Sequence, residues 1–343
     1  MKKESTETCF TGECPTPVEH NMHTIKLSEG SGGKEMQNLI DSMRSRFPTS
    51  SEWQNTADDG ATYKIGDSHL VFTSDSYVVT PIFFPGGNIG KIAFCGTVND
   101  LAVMGARPIG LSLSLVLEEG FSKDEFFQII DSIAELSKHT GIPVVTGDTK
   151  VVERRGLDKI IINTSGVGLA TRVLDEPLVQ GDVVIVSGGI GEHGATLLAK
   201  RFELEATIET DSKPLHEEML AIGQYVKQAK DITRGGLAAV VNELAIKNAV
   251  GMELQEEDIP MHNQVRALTE ILGIDVYSLA CEGRFLCVVK SEHALKVLEI
   301  LKKFNSTAAQ IGTVTQGSQV VIQTLYGKKI LSTPTGNIVP RIC

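Results

Sequence analysis

The sequence predicts a two-domain protein of the α/β (α+β) class. Strand-like and helix-like segments alternate along both halves of the chain, which is typical of mixed α/β architectures. A length of 343 residues also favours two domains. A second series of elements opens near residue 173 and contains the strand-like run GDVVIVSGG. We therefore predict an N-terminal domain over residues 24–172 and a C-terminal α/β domain over residues 173–332.

The elements of the N-terminal half follow from hydrophobic periodicity and turn residues. The glycine-rich loop LSEGSGGK leads into an amphipathic helix, and a Gly66-Asp67 turn between alternating runs predicts a β-hairpin. Ser122 is placed to cap a long helix. The remaining segments are a helix over residues 88–106, a strand over 108–119, a strand over 142–152 that runs into a loop, and a strand over 159–170.

The C-terminal half shows the same alternation. GGLAAVVNELAIKNAV predicts a helix, RFLCVVK a strand and SEHALKVLEILKKF another helix, and two short strands close the domain. Residues 1–23 read as a disordered extension, and residues 333–343 as a flexible tail.

Composition excludes several classes of function. The formal net charge is −11 and there is no basic block, which argues against binding to nucleic acid or to an anionic membrane surface. No apolar run approaches the length of a membrane span, and the start of the chain lacks the apolar core of a signal peptide. We expect a cytoplasmic protein with reduced thiols.

The most informative cysteine is the last residue of the chain. Cys9 and Cys14 lack zinc-ligand spacing, and Cys95 and Cys287 lie in apolar runs typical of a core. Cys343 instead ends the tail, which could reach roughly 35 Å if fully extended at about 3.3 Å per residue. The tail thus carries a tethered thiol that can enter a site on its own subunit or on a neighbour.

The flanks of Cys343 predict how its thiol behaves. The terminal carboxylate is a like charge beside the thiolate and should raise the thiol pKa, and Arg341 should offset this effect. We expect a modest nucleophile that depends on a partner enzyme. Val339 and Ile342 could seat the tail in an apolar groove.

Aspartates stand where burial or a strand end would make them useful. Asp100 falls within an apolar stripe of its helix, where a carboxylate is costly unless it is paired, hydrogen-bonded or bound to a metal. Asp75 and Asp148 follow strand-like runs, and Asp58 and Asp59 precede one. Singly, each reads as a turn residue, a cap or a carboxylate bonded to backbone amides. Together they suggest a hard-cation site, for which Mg²⁺ with bound phosphates is the natural occupant.

Three glycine-rich segments are candidate anion sites. Ser31-Gly32-Gly33-Lys34 opens a helix but is not a Walker A loop, and the turn that starts at Asp231 also enters a helix. GDVVIVSGGIGEHG contains a G-x-G-x-x-G motif, but no suitable acidic strand end follows it, so a nicotinamide site is a minor alternative. Lys150 and Glu282 are either functional or surface residues, and His193 is either a helix cap or a ligand.

The chain resembles the hydrogenase-maturation carbamoyl dehydratase family (HypE), from Lys26 to Cys343. The resemblance rests on the segments GSGGK, TADDGA, TSDSYVVTPIFFPGGNIGKIAFCGTVNDLAVMGARP, VVTGDTKVV, SGGIGEHG, DITRGGLAAVVNELA, ACEGRF and the terminal PRIC. The wider superfamily of aminoimidazole-ribonucleotide synthase, selenophosphate synthetase and thiamine-phosphate kinase shares the Asp-rich ATP site but not the cysteine tail. Glu29 stands where many relatives carry His, which puts a role of that position in doubt.

The resemblance implies an aminoimidazole-ribonucleotide-synthase-like fold and a homodimer built through N-domain strands. The terminal Cys343 would accept a carbamoyl group from a carbamoyltransferase, and ATP would drive dehydration of the S-carboxamide to a thiocyanate. The cyano group would pass to iron on a partner maturation scaffold, for [NiFe] hydrogenase. Lys150 would stabilise the transferring phosphoryl group and Glu282 would be the base. Mg²⁺ would be held by Asp59, Asp75, Asp100 and Asp148, and ATP also by Gly32, Gly33, Lys34, Asn99 and Asp231.

Two rival functions stay open at the level of sequence. One is an ATP-dependent synthetase or kinase of the same superfamily that acts on a diffusible substrate. The other is a non-catalytic thiol carrier. The buried carboxylates argue against the carrier, and the PRIC terminus argues against the diffusible substrate.

Overall fold

The computed structural model describes residues 24–336, 339 and 341–343. Cys9, Cys14 and the rest of the N-terminal extension lie outside the described residues. The helices are α1 (Lys34–Arg44), α2 (Ile89–Val103), α3 (Lys123–Thr140), α4 (Glu192–Arg201), α5 (His216–Ile222), α6 (Gly236–Asn248), α7 (Asn263–Leu272) and α8 (Ala294–Phe304). The strands are β1 (Trp53–Gln54), β2 (Ala61–Ile65), β3 (Ser68–Tyr77), β4 (Phe83–Phe84), β5 (Gly87–Asn88), β6 (Arg107–Glu118), β7 (Val144–Val152), β8 (Ile160–Ala170), β9 (Val183–Val186), β10 (Val226–Asp231), β11 (Gly251–Gln255), β12 (Phe285–Val289), β13 (Ala309–Thr315), β14 (Val320–Thr324) and β15 (Gly327–Ile330).

The N-terminal half is built on a six-stranded sheet in the order β1-β2-β3-β8-β6-β7. The β6–β7 pair is parallel and the other pairs are antiparallel. The strand predicted over residues 142–152 is present as β7, and Asp148 lies within this strand rather than at its end. β7 continues in register with β6 as far as Val152, because its later residues include the β-branched Thr149, Val151 and Val152.

Helix α2 is the centre of the N-terminal domain and touches both halves of the molecule. Every residue of α2 except Lys91 is buried, so the helix is covered on nearly all sides and not only along the predicted stripe. Gly96 allows it to approach the sheet, since a Cβ there would lie 2.1 Å from the Tyr77 hydroxyl oxygen. Ala102 and Val103 belong to a core cluster that includes residues of the C-terminal half.

The predicted cap of α3 is confirmed. The Ser122 side chain accepts a hydrogen bond from the Glu125 amide, and Gly141 ends the helix in a left-handed conformation.

The C-terminal half is built on a seven-stranded sheet in the order β10-β12-β9-β13-β11-β14-β15. Three strands close it where two were predicted, because β14 and β15 form a separate hairpin after β13. The two large sheets divide between residues 170 and 183, and the predicted α/β architecture with two domains is confirmed. Among the described helices, none combines the length and the hydrophobicity required to cross a bilayer.

Candidate functional site

A polar cleft of about 300 Å³ lies where the two halves meet. The N-terminal half lines it with residues of α1, the loop before β2, β3 and α2. The C-terminal half contributes the end of β10, the turn into α6, Glu282 and, at the very end of the chain, Cys343. A larger cavity of about 600 Å³ lies elsewhere, beside Ala102 and His216, and none of its described lining residues is acidic. The polar cleft is therefore the candidate site for phosphate and metal chemistry.

Four aspartates from separate elements converge in this cleft: Asp59 before β2, Asp75 on β3, Asp100 on α2 and Asp231 at the end of β10. Asp100 accepts a hydrogen bond from the Thr73 hydroxyl at 2.7 Å. Asp59 is paired with the Lys230 ammonium at 2.6 Å. The structure thus brings together three of the four residues predicted to bind Mg²⁺, together with Asp231.

Burial and mutual repulsion make these carboxylates costly to ionise. Burial raises the pKa of Asp100 well above its ordinary value, and the negative charges of Asp75, Asp231 and Asp59 raise it further. Burial likewise raises the pKa of Asp231, with Asp59 as the strongest like charge. In Asp59 burial outweighs the opposing effect of Lys230. A bound cation would relieve this repulsion.

The carboxylate oxygens of the cleft suit a hard cation whose remaining ligands are water molecules and substrate phosphates. Asp59 Oδ2 is buried and has no hydrogen-bond partner among the described residues. Across all the residues that the structure describes, no group of three Asp, Glu, His or Cys side chains is close enough to hold a metal ion without further ligands. Mg²⁺ normally completes its shell with water and substrate phosphates, so carboxylate oxygens from only part of the cluster suit it.

The C-terminal tail is docked in the cleft of its own chain. Val339 and Ile342 are each 4% exposed and belong to a core cluster formed by the N-terminal half together with helices α4 and α7, which confirms the predicted apolar seat. Cys343 is 8% exposed and lines the cleft. The backbone of residues 78–80 pairs with the tail in an antiparallel manner, because the Val78 amide donates to a terminal carboxylate oxygen of Cys343 and the Thr80 amide donates to the Arg341 carbonyl.

The docked thiol lies in a negative environment. Burial raises the pKa of Cys343, the Arg234 guanidinium lowers it, and the carboxylates of Glu282, Asp75 and Asp231 raise it again. The expectation that Arg341 offsets the negative charge is wrong, since its guanidinium pairs with Asp158 at 2.7 Å and with the Val78 carbonyl. Arg234 is the cation beside the thiol.

Glu282 is buried at the inner wall of the cleft. It is 2% exposed, and its Oε1 has no hydrogen-bond partner among the described residues. Its backbone is fixed on both sides, because its amide donates to Asp211 and its carbonyl accepts from the Asn99 amide group. Burial, followed by Asp231 and Asp211, raises the pKa of Glu282 well above its usual range. A carboxylate held in this way is a strong base once it is ionised.

Asp148 and Lys150 do not reach this cleft within one chain. They pair with each other at 2.6 Å on the edge strand β7, where both side chains are more than half exposed. Their roles in metal binding and phosphoryl transfer stay predictions.

The other residues predicted to bind the nucleotide include Asn99 and Gly32, which interact with the C-terminal half of this chain. Asn99 donates to the carbonyls of Lys213 and Glu282 and accepts from the Leu215 amide, so its side chain links the two halves. Gly32 and Gly33 are buried with positive φ. A Cβ on Gly32 would lie 2.9 Å from the Arg234 backbone. The nucleotide contacts of Asn99, Gly32, Gly33 and Lys34 stay predictions.

The backbone amides of the G-x-G-x-x-G segment at the start of α4 are hydrogen-bonded to other parts of the protein. Three of its amides already donate hydrogen bonds: Gly189 to Thr307, Gly191 to Cys281 and Gly194 to the Ala280 carbonyl. A pyrophosphate would compete with these bonds, which argues against the nicotinamide alternative.

Sequence reasoning did not identify two positively charged side chains of the site, Lys230 and Arg234. Lys230 neutralises Asp59, and Arg234 stands beside Cys343. Both lie in or next to DITRGG, a segment considered for its backbone amides, and their side chains gave no separate signal.

Models of two families match the chain. The "AIR synthase related protein, N-terminal domain" matches residues 57–170, and the "AIR synthase related protein, C-terminal domain" matches residues 179–324. A putative hydrogenase expression/formation protein from Methanocaldococcus jannaschii is 43% identical over 335 residues, which cover 93% of this chain and 99% of that protein. Carbamoyl dehydratase HypE from Escherichia coli (strain K12) is 40% identical over 338 residues, which cover 94% of this chain and all of that protein.

Solved structures agree with these matches. HypE in a HypE–HypF complex is similar with a TM-score of 0.80 at 36% identity, over 86% of this chain and 99% of that chain. Hydrogenase maturation protein HypE in complex with ATP is similar with a TM-score of 0.78 at 35% identity, over 93% of this chain and all of that chain.

Proposed function

The chain belongs to the carbamoyl dehydratase HypE family of hydrogenase maturation, and we propose that its own C-terminal Cys343 carries the group that is dehydrated. The observation that carries this proposal is the position of Cys343. The last side chain of the protein is buried in the carboxylate-lined cleft beside Arg234, in the same cavity as Glu282. A diffusible substrate would have to compete with this docked tail.

The proposed reaction converts an S-carboxamide on Cys343 into a thiocyanate. The γ-phosphoryl group of ATP is transferred to the carboxamide oxygen, and one N–H proton leaves as the C=N bond forms. The C–O bond then breaks, phosphate departs, and the second N–H proton is lost as the triple bond forms. The net products are the thiocyanate, ADP and inorganic phosphate. Phosphorylation is needed because oxide is a poor leaving group and phosphate is a good one.

Glu282 is the proposed base for the carboxamide nitrogen. Glu282 lines the cleft that receives the tail and its Oε1 has no hydrogen-bond partner among the described residues, and burial raises its pKa, which makes the ionised carboxylate a stronger base than an ordinary glutamate. Arg234 would stabilise the negative charge that develops on the carboxamide oxygen or on the phosphoryl group.

The cleft is also the proposed ATP site. A similar solved HypE has ATP bound, and the polar walls of this cleft suit phosphates better than an apolar ligand. Asp59, Asp75 and Asp100 would hold Mg²⁺, which supplies the positive charge that neutralises the phosphates when it is bound.

Carbamoylation of the free thiol is proposed to occur with the tail undocked. Inside the cleft the thiol is buried and surrounded by carboxylates, so the thiolate that would attack a donor is disfavoured. HypF, found with HypE in the similar solved complex, is the proposed carbamoyltransferase. After dehydration the tail would deliver its cyano group to iron on a maturation scaffold.

A homodimer is proposed to complete the site. Strand β7 is an open edge of its sheet, and its Val145 and Val151 are 63% and 67% exposed. Pairing of such an edge with a second copy would cover these side chains. It would also place Asp148 and Lys150 of one copy where they could act on the cleft of the other.

Mass spectrometry of the C-terminal peptide tests the proposal. The protein is incubated with the carbamoyltransferase, carbamoyl phosphate and Mg-ATP, and wild type is compared with Cys343→Ala. The expected result is a carbamoyl adduct on Cys343 that loses one water only when ATP is present. An adduct that never dehydrates would favour the carrier function. ATP consumption without any adduct would favour a diffusible substrate.

A further inference from the structure

The glycine-rich segment at the start of α4 places a histidine directly against the tail. Gly191, with φ 79°, is the N-cap of α4, and His193 follows two residues later. His193 is fully buried, and its ring meets that of Phe84 edge-on at 5.3 Å. A buried histidine with no role in the chemistry proposed above requires a separate explanation.

Both ring nitrogens of His193 are hydrogen-bonded, and one partner belongs to the tail. Nε2 lies 2.8 Å from the Ile342 carbonyl oxygen, and Nδ1 lies 2.8 Å from the Thr210 hydroxyl. A carbonyl can only accept, so Nε2 must carry the proton and donate it to the tail. The Thr210 hydroxyl then donates to Nδ1 and accepts from the Ser212 amide.

The tail carbonyls alternate between two sets of donors. The Arg341 carbonyl and a terminal carboxylate oxygen of Cys343 accept from the Thr80 and Val78 amides on one side, and the Ile342 carbonyl accepts from His193 on the other. Arg201, eight residues after His193 on α4, donates to the Arg341 carbonyl as well. All of these contacts bind backbone, so they hold the tail whatever group the Cys343 sulfur carries.

We propose that His193 is a positioning residue that holds the C-terminal tail in its docked state through the Ile342 carbonyl. The proposal rests on the proposed function for its purpose, since the docked tail carries the reacting group. Its physical content is an equilibrium between a docked and an undocked tail, which exists whether or not the protein turns over ATP.

The alkylation rate of Cys343 measures this equilibrium directly. The experiment uses iodoacetamide on the full-length protein in a Cys9→Ser, Cys14→Ser background, with mass spectrometry to count labelled thiols. His193→Phe keeps an aromatic ring beside Phe84 and removes the donor. We expect labelling of one thiol to become about tenfold faster, the change that loss of one buried hydrogen bond produces.

Two further variants make the result specific. His193→Gln retains an N–H donor and should label more slowly than His193→Phe. His216→Phe is the matched control, because His216 lies on α5, away from the tail, and should label like the parent protein. Faster labelling of the buried Cys95, Cys281 or Cys287 would reveal general unfolding, which overturns the proposal.

A second measurement decides the matter if His193→Phe does not fold. In ¹⁵N-histidine-labelled protein, the His193 Nε2–H signal should be protected from exchange and should lose that protection when Ile342 and Cys343 are deleted. Unchanged labelling in His193→Phe, or unchanged protection after the deletion, would overturn the proposal. Altered labelling in a protein that never dehydrates its tail would leave it standing while the proposed function fails.

Discussion

Glu282→Gln should separate catalysis from stability. If Glu282 is the base, the substitution removes proton transfer and should slow dehydration of the carbamoylated tail by about 10²- to 10⁴-fold. The same change replaces a buried, unpartnered carboxylate with a neutral amide of nearly the same shape. Because burial of an unpaired charge is unfavourable, the variant should be more stable than wild type.

The gain in the free energy of unfolding from Glu282→Gln should grow as the pH rises. The pKa of Glu282 is raised in the folded state, so folding takes up a proton and stability falls as pH rises above the ordinary glutamate pKa. One such group changes the free energy of unfolding by at most about 1.4 kcal/mol per pH unit, which limits its total cost to about 4 kcal/mol at pH 7. We expect the variant to gain about 1–3 kcal/mol at pH 8 and less at pH 6.

Glu218→Gln is the matched control for this experiment. Glu218 is as deeply buried as Glu282, but it is ion-paired with Lys213 and does not line the cleft. Removing its charge should destabilise the protein by about 1–3 kcal/mol and leave the chemical step intact. Urea unfolding at pH 6, 7 and 8 and single-turnover dehydration measure both quantities. A Glu282→Gln protein that is less stable than wild type, or that dehydrates its tail at the wild-type rate, would refute the reasoning.

Two further predictions concern ATP and the dimer. Asp75→Asn should weaken Mg-ATP binding by about tenfold or more in calorimetry, because a charged oxygen ligand is lost; unchanged affinity would remove Asp75 from the metal site. Lys150→Ala and Glu282→Gln should each be inactive alone, yet mixing them should restore about a quarter of wild-type activity, since half of the random dimers contain one complete cleft. If mixed dimers form and no activity returns, Lys150 does not act across the interface.

The sequence predicted the fold because its signals are local. Periodicity placed the buried helix α2, and Ser122 marked the start of α3 at the right residue. Asp148 follows the strand-like run IPVVTG in the sequence, and a Gly-Asp pair usually signals a turn, whereas pairing with β6 keeps the chain extended through Asp148 to Val152. Tertiary pairing overrides turn propensity at this position, and no local pattern shows it.

The site was predictable only in part because it is assembled from distant segments. Asp59, Asp75 and Asp100 were found as carboxylates near strands or in apolar surroundings. Arg234 acts through its charge on Cys343 and His193 through a hydrogen bond to Ile342, and spacing along the sequence carries no record of either interaction with the far end of the chain. The outward position of Asp148 and Lys150 likewise depends on sheet order, which the resemblance alone did not supply.

The negative cleft should distinguish a loaded tail from an empty one by charge. A carbamoylated or cyanated sulfur is neutral at any pH, whereas a free thiol can ionise. Burial and the carboxylates of Glu282, Asp75 and Asp231 raise the pKa of docked Cys343 despite Arg234, so ionisation of the thiol favours the undocked state. Above the ordinary thiol pKa of about 8.5, docking of the free tail should weaken by up to about tenfold per pH unit. Hydrogen exchange at the Val78 and Thr80 amides, which donate to the tail, reports docking. Protection of these amides should fall with rising pH in the free-thiol protein and stay constant in the carbamoylated protein. The same pH dependence in both forms would show that the charge of the sulfur does not control docking.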